Sequence, residues 1–126
     1  MRPKFYKCSI CGNIVALVHE GGGTLVCCGK PMDEIIPNST DAAKEKHVPV
    51  ISVDGNTVKV RVSTVAHPML EEHYIEWIML ETESGNQRKL LKPGSEPECT
   101  FEIASGDKVI AAYAYCNLHG LWKGTL

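Results

Sequence analysis

Nine of the eleven cysteines and histidines of this sequence fall into two groups. Cys8 and Cys11 form a C-x2-C pair, and Cys27 and Cys28 follow as directly adjacent residues. A C-x2-C turn lets two thiolates converge on one ion, and a second pair completes a tetrahedral four-sulfur site. Zinc and iron both accept that donor set. Because the second pair is vicinal and not another C-x2-C knuckle, its side chains must splay, so a tetrahedron distorted from the two-knuckle form is expected. The competing reading of these thiols is two disulfides, or inert buried sulfurs. In a reducing compartment, clustered thiols read more naturally as metal ligands.

The second group is His47, His67, His73, Cys116 and His119. Cys116 and His119 form a C-x2-H pair, a spacing that suits two ligands on one turn. The other histidines stand where strands begin or end, and a β-sandwich brings its loops together at each end. A second metal site is therefore expected, with its ligand count open. His19, next to Gly21-Gly22-Gly23, reads as a surface residue. Cys99 shares strand parity with Phe101 and Ile103 and reads as a core thiol.

Short strands must position these groups. Up to about residue 36, Phe5-Tyr6-Lys7, Asn13 to Val18 and Thr24-Leu25-Val26 read as two or three strands, and Gly29-Lys30-Pro31 turns away. So small a unit cannot bury enough apolar area to stand alone, and a bound metal must supply the missing free energy. Ile36 to Asp41 reads as a linker. Asp41 to Lys46 has helical propensity, limited by Pro49 to about a turn. Beyond residue 48 the pattern is β. Val48 to Val53 meets Asp54-Gly55, a hairpin signal, and Val58, Val60 and Val62 alternate with Lys59 and Arg61. Tyr74 to Glu81 follows, with Ile75, Trp77 and Met79 expected on one face. Then come Arg88 to Leu91, Thr100 to Ile103 and Val109 to Tyr115. Five to seven strands joined by Gly/Pro/Asn turns predict an antiparallel sandwich. There is no internal repeat and no low-complexity segment.

Composition narrows the class. The chain has 126 residues, enough for one domain or two small ones, and 44% hydrophobic against 22% charged residues places it among globular proteins. Thirteen Lys+Arg against fifteen Asp+Glu give a net charge of −2, which argues against nucleic acid as partner. No apolar run approaches the roughly 20 residues that span a bilayer. The N-terminus leads straight into the first Cys motif without a signal-peptide apolar region, so a cytoplasmic location is expected.

The motifs taken together resemble a known family. Cys8-Ser9-Ile10-Cys11-Gly12-Asn13-Ile14-Val15 with Val26-Cys27-Cys28-Gly29 is similar to the desulforedoxin-type domain. Lys44-Glu45-Lys46-His47-Val48-Pro49, Ala66-His67-Pro68-Met69, His73-Tyr74-Ile75-Glu76-Trp77 and Tyr115 to Trp122 resemble the desulfoferrodoxins, two-iron superoxide reductases. The match covers nearly the whole length, and no matched ligand position is substituted.

The resemblance implies two domains. Residues 1–37 would be a small rubredoxin/desulforedoxin-like unit whose Cys8, Cys11, Cys27 and Cys28 hold an Fe(Cys)4 centre. Residues 38–126 would be an immunoglobulin-like antiparallel β-sandwich. There His47, His67, His73 and His119 would ligate the catalytic Fe(His)4Cys iron equatorially, and Cys116 axially. Glu45 and Lys46 match a Glu-Lys pair beside that iron, the glutamate able to take the sixth position in the ferric state. The resemblance further implies two non-haem irons per chain, superoxide as substrate, rubredoxin or a similar small carrier as electron donor, and a homodimer. Two other classes stay compatible with the residues themselves, an electron-transfer protein that never binds substrate at iron and a zinc-stabilised binding module.

Overall fold

The computed structural model describes residues 2–126. It divides into two units, the first ending at Ile36 and the second running Pro37–Leu126. In the first, β1 (Phe5–Lys7) pairs antiparallel with β2 (Ile14–Ala16) and β5 (Asp33–Ile35), while β3 (Val26–Cys27) and β4 (Lys30–Pro31) form a separate two-stranded ribbon. The ribbon's return strand and β5 exceed the two or three strands legible in sequence, because strands this short carry no alternation to read. Phe5 and Cys8 are the buried apolar side chains of this unit among the described residues, and they do not amount to a hydrophobic core.

The second unit is a seven-stranded antiparallel sandwich. One sheet has the order β10 (Glu98–Glu102), β7 (Thr57–Arg61), β6 (Val50–Asp54). The other has the order β12 (Gly120–Gly124), β11 (Val109–Cys116), β8 (Ile75–Thr82), β9 (Gly85–Leu90). The Asp54-Gly55 signal becomes a two-residue hairpin loop, Gly55-Asn56, between paired Asp54 and Thr57, with Gly55 at φ +60. Val58, Val60, Val62 and Phe101 from the first sheet meet Ile78, Leu80, Ala112 and Ala114 from the second. Cys116, the last residue of β11, belongs to the same buried cluster. Cys99 packs partly buried against it, and burial pushes its thiol up to about 11, as suits a core sulfur. No helix among the described residues is long and apolar enough to cross a membrane.

One face assignment is corrected. Ile75 does not share a face with Trp77 and Met79. The β8–β11 register shifts between Tyr115↔Trp77 and Cys116↔Ile75, so an extra residue, Glu76, is inserted in β8. A bulge of one residue reverses side-chain parity. Ile75 consequently joins Ile78 and Leu80 in the core, while Trp77 stacks on Tyr115 with ring centroids 5.7 Å apart.

The topology gathers chain ends at one end of the sandwich. Val50 at the start of β6 pairs with Arg61 at the end of β7, and Ile75 at the start of β8 pairs with Cys116 at the end of β11. The segment before β6, the β7–β8 connection and the β11–β12 turn therefore all emerge on that side. The first of these contains α1 (Lys44–His47), a single turn without a side-chain cap. It is anchored by close packing behind it, for a Cβ on Gly124 would lie 2.1 Å from the Pro49 carbonyl oxygen. Gly124→Ala is expected to cost about 2–3 kcal/mol through overpacking, read as a lowered urea midpoint with unchanged m-value.

Candidate metal centres

In the first unit the four thiols converge. Cys11 Sγ lies 3.6 Å from Cys27 Sγ, and Cys27 Sγ lies 4.0 Å from Cys28 Sγ. Four sulfurs about 2.3 Å from a common ion stand about 3.8 Å apart in a regular tetrahedron, so these spacings suit a metal. They are far outside the ~2.05 Å of a disulfide, and every cysteine is free. The splaying that adjacent cysteines demand is achieved by the backbone, since Cys28 adopts φ +54 and Gly29 φ +72, a left-handed pair.

Backbone amides surround the first knuckle. Ile10 N and Cys11 N both donate to Cys8 Sγ at 3.4 Å, and Asn13 N donates to Cys11 Sγ at 3.5 Å. The Cys11 and Ile10 amides hold the Cys8 thiol at about 6. Cys28, crowded by Cys11 and the other thiols, is pushed up to about 12. Four sulfurs this close cannot all be anionic without a cation among them. Asn13 is a residue that sequence reasoning missed: its Nδ2 also donates to Cys27 Sγ at 3.8 Å, across the site.

The second group assembles at the gathered end of the sandwich. His47 ends α1, His67 and His73 lie in the β7–β8 connection, Cys116 ends β11, and His119 lies in the turn to β12. Their donor atoms, like those of the four cysteines among themselves, all lie within 4.8 Å of one another. The four imidazoles form a ring in the order His47, His67, His73, His119, with neighbouring centroids 4.7 to 5.1 Å apart and planes crossing at 73° to 89°. His19 is exposed in the other unit, outside both groups.

The hydrogen bonds decide which nitrogens face inward. His47 Nδ1 donates to the Ala43 carbonyl oxygen at 2.7 Å, and His67 Nδ1 donates to the Pro68 carbonyl oxygen at 2.7 Å. A carbonyl only accepts, so each Nδ1 carries the proton and each Nε2 presents a lone pair. Burial lowers the pKa of His47 and His73 and takes His67 down to about 4, which keeps the rings neutral. Yet His47 Nε2 lies 3.2 Å from His67 Nε2 and 3.1 Å from His119 Nδ1. The two Nε2 atoms of the first pair both present lone pairs, which repel at that distance and form no hydrogen bond. His73 Nε2 is buried with no hydrogen-bond partner. A cation at the centre resolves both conflicts. Nitrogens about 2.1 Å from one ion at right angles stand about 3.0 Å apart, close to the observed separations.

Cys116 Sγ lies 3.9 Å from His119 Nδ1 and is fully buried, which raises its thiol above the ordinary range. A cavity of about 260 Å³ borders the ring. Asp41, Lys46, Ala42, Ala43 and Pro68 line it together with the four histidines, whereas Cys116 does not. Lys46 and Glu45 are both exposed, and only Lys46 reaches this cavity. The Glu45 carbonyl oxygen accepts from Val65 N at 2.8 Å and Thr64 Oγ1 at 3.1 Å, tying α1 to the loop of His67.

Two supporting residues have roles that no motif announces. Asn117 brackets His73: its Nδ2 donates to the Glu72 carbonyl oxygen and its Oδ1 accepts from Tyr74 N, both at 3.0 Å. Trp122 stacks on His47 at 4.9 Å and 27°, and its Nε1 donates to the His119 carbonyl oxygen at 3.0 Å. The one available signal was proximity to Cys116 and His119 in sequence.

The desulfoferrodoxin family profile matches residues 39–125, and the profile of the desulfoferrodoxin N-terminal domain matches residues 2–35. The desulfoferrodoxin homolog of Archaeoglobus fulgidus is 57% identical over 118 residues, covering 94% of this chain and 93% of that protein. The desulfoferrodoxin of Nitratidesulfovibrio vulgaris is 55% identical over 120 residues, covering 95% and 94%. Among solved structures, the superoxide reductase from Treponema pallidum superposes with a TM-score of 0.84 at 39% identity, covering 99% of this chain and 100% of that one.

Proposed function

This chain belongs to the desulfoferrodoxin family, and from that premise we infer that it is a superoxide reductase, converting superoxide and two protons, with one electron, into hydrogen peroxide. The observation that carries the reading is a ring of four imidazoles and a buried thiol whose donor atoms cluster beside a cavity that carries a lysine. The chain holds two non-haem irons, an Fe(Cys)4 and an Fe(His)4Cys centre. We assign the first to Cys8, Cys11, Cys27 and Cys28 within residues 1–37. We assign the second, where the reaction takes place, to His47, His67, His73, His119 and Cys116 within residues 38–126.

Held there, ferrous iron would supply the electron, and four neutral imidazoles with one thiolate would leave it a net charge of about +1, favourable to an anion. The protein's residues do the rest. The cavity lies against the histidine ring, which would leave room for a small anion beside a metal held by the five donors. Cys116 approaches from the core, where no solvent competes for its sulfur. Lys46 places an ammonium on the cavity wall, which offsets the Asp41 carboxylate on the same wall and would help the metal's own charge draw in superoxide despite the chain's net charge of −2, because steering depends on the local field. The same ammonium can order a water that brings a proton to the departing product. Glu45 is exposed on the same turn and would be free to swing toward the cavity in the oxidised protein.

From the family resemblance, electrons come from a small carrier of the rubredoxin kind and the protein works as a homodimer; we place it in the cytoplasm. The test of the function is anaerobic. Protein purified without oxygen should contain two irons per chain, and a superoxide pulse should oxidise the second iron and yield one peroxide per electron. Iron that a pulse leaves reduced would make the chain an electron carrier, and zinc at both sites would make it a binding module.

Lys46→Ala gives a finer check. The encounter with superoxide should slow by about tenfold and lose most of its ionic-strength dependence, with iron content unchanged. An unaltered rate at low salt would remove the steering role.

A further inference from the structure

Of the five side chains at the second centre, His47 is the one carried by a helix. It closes a helix of one turn with no side-chain cap, and its own anchor is a single bond to Ala43. An isolated turn of this length has no stability of its own. His119 sits in the turn between β11 and β12, between an exposed Leu118 and Gly120. These two ligands come from segments remote in sequence, yet their facing nitrogens must be held 3.1 Å apart.

One side chain touches both. Trp122 is 1% exposed and lies in the edge strand β12, opposite Ala114 of β11, so the pairing of these two strands fixes its position. Its indole face stacks on the His47 ring, and its Nε1–H is spent on the His119 carbonyl oxygen. A buried indole N–H needs an acceptor. Here the acceptor is the backbone of a ligand residue, so the bond that satisfies Trp122 also sets the course of the turn that aims the His119 ring.

We propose that Trp122 is a positioning residue of the second centre, tying His47 and His119 into one rigid half of the imidazole ring and thereby governing how tightly and in what symmetry the iron is held. The proposal rests on the metal-centre reading above. Outer partners that orient ligands typically change metal retention by 10–100-fold. Two variants separate the two contacts. Trp122→Phe keeps an aromatic face for His47 but loses the donor to His119, whereas Trp122→Leu loses both.

The experiment uses the full chain loaded with two irons. It follows Fe(II) capture by a chromogenic chelator, together with the sulfur-to-iron absorption band and the electron paramagnetic resonance signal of the oxidised second centre. Trp122→Phe should release that iron about 3–10-fold faster and Trp122→Leu on the order of 100-fold faster, each with a shifted band and an altered resonance. Phe101→Leu, in the opposite sheet, serves as control for general loosening of the core. It should lower thermal stability while leaving release and spectra as in the native chain. Native release and native spectra in both Trp122 variants would overturn the proposal. So would a Phe101→Leu protein that loses iron as fast as Trp122→Leu. A Trp122→Phe protein indistinguishable from native, beside an impaired Trp122→Leu, would remove the tie to His119 and with it the claim that one side chain couples two ligands. A native chain whose histidine site takes up no iron would overturn the metal reading along with it.

Discussion

Replacing Cys116 by serine is expected to abolish the sulfur-to-iron absorption of the second centre and to lower peroxide formation from superoxide by on the order of 100-fold or more, about 2.7 kcal/mol in barrier. The residue is the single anionic donor of the five, and its position in the core decides how it behaves. Burial holds the free thiol protonated, so the thiolate exists when a cation is there to share its charge, and metal uptake must expel that proton. A serine hydroxyl, with a far higher intrinsic pKa, does not follow. It leaves a dication facing four neutral rings, with no electron-rich sulfur behind the iron. The substitution is sterically mild, so the sandwich should survive, and the measurement is the visible spectrum beside superoxide-driven peroxide yield. A serine variant that kept the native band would show that the sulfur is not a ligand.

Cys8→Ser should have an effect as large, confined to the other unit. Phe5 and Cys8 are the buried apolar side chains there among the described residues, and the strands are two or three residues long. Nothing but a metal can offset the chain entropy of such a unit, and bound structural metals contribute on the order of 10 kcal/mol. Cys8 is the sulfur most heavily supplied with amide donors, from Ile10 and Cys11, so it is the thiolate best prepared to start metal uptake. The variant should carry one iron per chain, lose amide-exchange protection in the first unit, and be cut there by protease. The second unit keeps its own core and should retain its iron. Two irons and intact protection in this variant would show that the first unit is held by something other than its thiolates.

Parts of this were legible before any coordinates. Gly/Pro/Asn turns and alternating valines at Val58, Val60 and Val62 mark a sandwich because strand periodicity and turn chemistry are local. The C-x2-C and C-x2-H pairs mark metal sites because their ligands lie within one turn of each other. Other features were not legible. The bulge at Glu76, which turns Ile75 into the core, depends on how β8 pairs with β11, and no residue of β8 announces it. The strands β4 and β5 were too short to show alternation. Asn117, Trp122 and Asn13 act through atoms that touch ligands distant in sequence, so their roles appear only when the partners are in place.

The order of residues along the chain determined which donors exist, how many thiols and imidazoles there are, and which of them must move together on a turn; those are properties of covalent neighbours. Which nitrogen of each histidine faces inward, which sulfur is sunk in the core, and that Lys46 and not Glu45 lines the cavity were decided by the tertiary structure. The reason is that lone-pair direction, desolvation and cavity walls arise from contacts between segments tens of residues apart. Those contacts exist once two sheets have closed over a common core and brought their loops to one end.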